Sequence, residues 1–233
     1  MKLPSRAISP RPIIFYFDFL DPFAYLAATR IPRACREAEA SLTLEPVNSR
    51  VMPAVGAVAM GERSSKQWET AGRAADHFGV ILNRPGKYPF DATRVLETCL
   101  FVRDRSGQEA MAAVADALWS AIWADGADPE RLRTALTAGR GVAVPEQVLR
   151  RSLEDPRAPE MLARVTARAL RRGVTRVPEV QVDQRLYLGF NEVLTAERVI
   201  RCEQVQPGPG STADGPDEGE GGDVALPDWT FSG

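Results

Sequence analysis

Between Glu62 and Gly173 about a hundred residues carry helical patterning and almost no strand signal, and strand-forming runs stand on both sides of them. That order constrains the fold more than any other feature. Strands at both ends of a long helical block predict that the two ends meet in one sheet with the block inserted between them. At the front, Ile13 to Phe17 is an unbroken β-branched and aromatic run, which predicts a buried strand over 12–19. Asp21 and Pro22 follow, then helical composition over 23–40. Pro22 suits a first helical turn, where its missing N–H costs nothing; Pro32 is expected to kink or split the helix. "LTLEPVN", 42–48, reads as a second strand. Near the end, "VPEVQV" and "RLYL" flank Asp183-Gln184 as a hairpin, and "TAERVIRCEQV" reads as a last helix capped by Thr195 after a loop. A βαβ start and a ββα end predict one α/β sheet, its first two strands parallel with a right-handed crossover.

Nearly all of the block reads as helix. "AMAAVADALWSAIWADG" places Val114, Leu118, Trp119, Ile122 and Trp123 on one face, with Gly126 ending it. Asp128-Pro129 reads as a cap and first-turn pair for the next helix. The predicted division is an α/β unit over 12–60 and 174–205, a helical insertion over 61–173, and a tail over 206–233. The tail holds six acids and no Lys or Arg, too little apolar content to fold, and is expected to be disordered. The whole chain is −2, so residues 1–205 alone are +4. That balance argues against a general nucleic-acid binder. No apolar run is long enough to span a bilayer, no leader pattern opens the chain, and three scattered cysteines fit a reduced, cytoplasmic setting. The cysteines make no metal-ligand spacing, and a single histidine, His77, excludes a histidine-based metal cluster.

"FYFDFLDPFAYLA", "ALWSAIWADGAD", "ARALRRGVTRVPEV" and "LYLGFNE" occur in that order. Together they resemble the thioredoxin-fold group that includes the bacterial disulfide oxidoreductase DsbA, and within it the 2-hydroxychromene-2-carboxylate isomerases and kappa-class glutathione transferases. The resemblance covers about 12–204 and implies a thioredoxin-like sheet with a large all-helical insertion. In redox relatives the first turn of the first helix carries Cys-Pro-x-Cys; in the isomerases and kappa transferases, Ser-Pro-x-Ser or similar. Here those positions hold Asp21 and Ala24. Dithiol exchange needs a thiolate and a resolving thiol, so it is excluded at this site. Val177-Pro178 matches the family's cis-proline. The family's Ser-Asp grip on glutathione falls on Phe190 and Asn191, and a family lysine falls on Arg63, with Lys66 close by.

Two compatible roles fit Asp21. As an N-cap it is favoured by about 1 kcal/mol. As a carboxylate held by helix N–H groups it suits a base more than an acid, whereas burial in an apolar pocket would favour the acid. Asp18 reads as a buried structural carboxylate. Phe23 can line the pocket mouth. Arg50 follows the second strand at the carboxyl end, where open α/β sheets bind ligands, and could hold an acid group. The resemblance implies an isomerase that shifts or cis/trans-isomerises a double bond in a small unsaturated or polyketide-like acid, free or carried on an acyl carrier protein. Asp21 would replace the family serine. Glutathione or another thiol is the cofactor the family implies, and a homodimer its usual assembly. The other readings are a glutathione transferase and a non-catalytic binding protein on the same fold.

Overall fold

The computed structural model describes residues 10–53 and 64–202. In chain order the elements are β1 (Pro12–Phe17), α1 (Pro22–Glu37), β2 (Ser41–Pro46), a 3-10 turn (Ser49–Val51), α2 (Ser64–Phe78), α3 (Thr93–Trp119), α4 (Leu132–Gly139), α5 (Glu146–Ser152), α6 (Ala158–Arg171), β3 (Glu179–Val182), β4 (Arg185–Leu188) and α7 (Gly189–Cys202). The strands form one sheet in the order β2-β1-β3-β4. β1 pairs parallel with β2, antiparallel with β3, and β3 antiparallel with β4. The two ends of the chain therefore share one sheet, as the interrupted strand pattern predicts.

β1 is central because it can be buried on both faces: Ile13, Phe15 and Phe17 are fully buried, and so is Tyr16 between them. Phe17 and Phe19 both pack against Trp119, at 5.5 and 4.5 Å between ring centroids, which ties β1 to the end of α3. α7 packs along β3 and β4 and lies beside α1; α3 contacts β2 and the three helices that follow it. α6 reaches the sheet through charge. Arg168 Nη2 donates to Glu45 Oε1 at 3.0 Å and Arg172 Nη1 to the Tyr16 hydroxyl at 3.1 Å. Trp123 is fully buried and its Nε1 donates to the Phe19 carbonyl at 3.0 Å, directly ahead of Asp21. Trp123→Phe leaves that carbonyl without its donor, and a loss of about 1–3 kcal/mol is expected in urea unfolding. An unchanged midpoint would show that the bond contributes nothing net.

Several elements differ from the sequence reading. β1 stops at Phe17, because the Asp18 carbonyl already accepts a turn bond from the Asp21 N–H. Pro32 does not split α1, which runs unbroken from Pro22 to Glu37. The helical block is interrupted over 79–92 by an irregular stretch with a cis Tyr88–Pro89 bond. Asp128 does not cap α4, which starts at Leu132; its Oδ1 instead accepts from the Glu130 N–H in a preceding turn. Thr195 does not cap the last helix. α7 begins six residues earlier at Gly189, whose positive φ of 77° turns the chain straight from β4 into the helix. Thr195 sits inside, its hydroxyl directed back to the Asn191 carbonyl. The hairpin forms where expected, with Asp183 at φ 54°. The acidic tail lies outside the described residues.

Candidate active site

Strand direction decides what can meet. β1 and β2 are parallel, so Asp21 and Asn48–Arg50 leave the sheet at the same end. The β1–β3 register pairs Tyr16 with Glu179, and continuing it places Pro178 opposite Phe17 and Val177 opposite Asp18. The Gly189 N–H donates to the Pro178 carbonyl at 2.9 Å, bringing the start of α7 to the same place. Asp21, Phe23, Val177, Pro178, Phe190 and Asn191 therefore gather at one end of the sheet. The Val177–Pro178 bond is cis, as the resemblance implied.

Asp21 is the N-cap of α1, with extended backbone (φ −100°, ψ 117°). Its Oδ1 accepts from the Phe23 N–H at 2.7 Å and, more weakly, from the Ala24 N–H at 3.3 Å. Amide donors at a helix start favour negative charge at this position. The side chain is partly open to solvent while Phe23 and Phe190 beside it are buried and pack at 5.2 Å. Asn191 is exposed on the first turn of α7. Asp18 is structural, as its sequence reading held. It is 1% exposed; Oδ1 accepts from the Leu20 N–H, and Oδ2 from the Ser49 N–H and hydroxyl. Burial raises its pKa against the pull of those three bonds and the Arg50 charge. Asp18 in this way fastens the end of β1 to the turn after β2.

Arg50 is exposed, and its Nη2 donates to the Phe90 carbonyl at 2.8 Å, so part of the guanidinium is spent holding the 79–92 stretch to the sheet. Arg63 lies outside the described residues. His77 is exposed and sits edge-on to Phe78. Cys35 and Cys99 are buried, and burial raises both thiols above their usual range; neither belongs to the helix start.

The residue that sequence reasoning missed is Tyr88. Its half-buried ring packs on Trp123 at 5.9 Å, Phe90 at 6.1 Å and Trp68 at 6.3 Å. Its phenol is held above the usual range, first by burial and then by the Asp21 carboxylate, with Arg84 opposing. Tyr88 is thus a neutral O–H donor standing in the field of Asp21. The one local signal was Tyr-Pro in a Gly- and Pro-rich segment, which says turn and nothing about where the turn lands.

A family model of the DsbA-like thioredoxin domain matches residues 12–201. The chain belongs to this family. Among its curated relatives, a 2-hydroxychromene-2-carboxylate isomerase of Pseudomonas putida is 25% identical over 80% of this chain and 92% of the relative. One of Sphingobium xenophagum is 24% identical over 76% and 91%. The solved structure of a 2-hydroxychromene-2-carboxylate isomerase superposes with a TM-score of 0.71 at 23% identity, over 83% of this chain and 97% of that one. The DsbA-like fold thus appears here with Asp21 and Ala24 at the head of α1. No helix among the described residues is long and apolar enough to cross a membrane.

Proposed function

We propose that this DsbA-like protein is an isomerase, moving or rotating a conjugated double bond in a small unsaturated acid. The observation that carries the reading is Asp21, a carboxylate fixed on two amide N–H groups at the head of α1, at the sheet end shared with cis-Pro178. The two curated isomerase relatives, aligned over nine-tenths of their own length, support the reaction class. In the proposed reaction Asp21 takes a proton from the substrate, and the electron pair delocalises onto the conjugated carbonyl oxygen. The former double bond loses bond order, turns or shifts, and Asp21 returns the same proton. Tyr88 hydrogen-bonds the oxygen while it carries negative charge, and the walls of Phe23 and Phe190 keep that charge out of bulk water. Arg50 supplies positive charge at the rim for the substrate's acid group.

Glutathione fits this site less well than it fits the family pattern. Phe190 is buried against Phe23 and Phe78, and Asn191 offers no negative charge to an amino group. A reaction needing no added thiol is the reading those two residues favour. Purified protein incubated with 2-hydroxychromene-2-carboxylate, with and without glutathione, tests it by ultraviolet absorbance. Conversion in both samples is expected; conversion only with glutathione would put a thiol adduct in place of the proton path. Tyr88→Phe keeps the ring packing and removes the donor, and should lower kcat by about 10²-fold with little change in KM. An unaltered kcat would remove Tyr88 from the mechanism.

A further inference from the structure

Away from Asp21 a cleft of about 470 Å³ opens between α1, the end of α2 and α7. Three guanidinium groups line it, those of Arg30, Arg33 and Arg201, with Phe78 as an apolar wall. The carboxylate inside is Glu197, 4% exposed and already saturated. Its Oε2 accepts from Arg30 Nε at 2.6 Å, and its Oε1 from Arg30 Nη2 at 3.0 Å and Arg201 Nη2 at 3.1 Å. Glu37, at the rim, is shared in the same way between Arg33 and Arg201. Each carboxylate therefore serves two arginines, and three positive charges face two negative ones. The crowding is felt at Arg201, whose guanidinium is held below its usual range by burial and then by Arg33 and Arg30.

The unused donors share one face. Arg30 Nη1 and both terminal nitrogens of Arg33 have no acceptor among the described residues. Residues three apart on a helix are neighbours, so these edges lie side by side on α1. Arg30 is also fixed in plane, its guanidinium carbon 4.0 Å from the Phe78 ring centroid. Arginines pre-positioned in this way, with a surplus charge and free N–H edges, match an oxyanion with several acceptor oxygens better than a single carboxylate.

We propose that this cleft is a binding site for a phosphoryl group, separate from the site around Asp21 and independent of the reaction assigned there. The group enters against Arg30 and Arg33, while the Glu197 pairs stay intact and keep the frame of the site. Two sources carry the same chemistry, free phosphate and a phosphorylated organic ligand whose chain lies on Phe78. Three arginines of the 150–176 region are matched differently, Arg150 and Arg157 with Glu146 and Asp155, and Arg168 with buried Glu45.

The test is titration calorimetry of the full chain with inorganic phosphate, and separately with 4′-phosphopantetheine, at ionic strength held constant with chloride. Saturable binding is expected for both; tighter binding of the second would assign the Phe78 wall to the organic chain. Arg33→Ala is expected to weaken phosphate at least about tenfold, as loss of a charged hydrogen-bond donor does. Arg36→Ala, outside the cleft, should change affinity by less than about twofold. Arg33 is 70% exposed and, among the described residues, pairs with Glu37, so the variant should fold; Arg33→Lys, which keeps the charge and loses the fork, should fall between wild type and Ala. Absence of saturable binding by either probe, or equal affinity in wild type and Arg33→Ala, would overturn the proposal.

Discussion

Asp21→Ala is expected to reduce turnover of 2-hydroxychromene-2-carboxylate by about 10²–10⁴-fold, the range a positioned general base contributes. The same change removes the N-cap acceptor for Phe23 and Ala24, at about 1 kcal/mol of stability. The two losses have to be separated, since a poorly held helix start would also blunt catalysis. Asp21→Ser does so. Serine is as good an N-cap as aspartate, so its hydroxyl can keep the helix start ordered, and stability should return to within a few tenths of a kcal/mol. A neutral hydroxyl cannot accept and return a proton as a carboxylate does, so turnover without added thiol should stay as low as in Asp21→Ala. If Asp21→Ser turns over like wild type, the carboxylate is only a cap. If either variant recovers when glutathione is supplied, the thiol path becomes the better account.

The parts of this site legible in sequence were those made by one local segment. The apolar run of β1, the Asp21-Pro22 start of α1 and the Asp183 turn each carry their signal within a few residues, and each forms. What was not legible depends on where distant segments land. Tyr88 comes into the field of Asp21 because Arg50 and Trp123 hold the 79–92 stretch against the end of β1, and no periodicity in "NRPGKYPFD" encodes that. Arg30, Arg33 and Arg201 look like solvated helix positions until α1 and α7 are laid side by side over Glu197. The start of α7 was misplaced for the opposite reason. Thr195 is a strong local cap signal, but the Gly189 N–H bond to Pro178 commits the chain to turn sooner.

Glu179 is a second case in which tertiary placement overrides the local pattern, and it makes the largest stability prediction. In "VPEVQV" it alternates with valines along one strand of the hairpin. In the fold it is fully buried, and neither carboxyl oxygen has a hydrogen-bond partner among the described residues. It stands in register opposite Tyr16 on one side and Leu188 on the other. Burial pushes its pKa from 4.5 up to about 8, and the Arg176 charge opposes this only in part. At neutral pH the folded chain therefore holds a proton there that the unfolded chain releases. An acid whose folded pKa is raised is at no disadvantage below its unfolded pKa. The folded state then loses stability as pH climbs from about 4.5 toward 8, at up to about 1.4 kcal/mol per pH unit, and the loss levels off above. Glu179→Gln keeps the shape of the protonated acid and does not titrate. Wild type and variant should be close at pH 4.5 in denaturant unfolding, and the variant should be more stable by several kcal/mol at pH 8. The carboxylates whose pKa is lowered, Asp155 to about 2 with Asp91 and Glu130, act at the acid end of the range and are common to both proteins. Parallel stability curves from pH 4.5 to 8 would mean that Glu179 is ionised in the fold, with its charge met by a group such as Arg176.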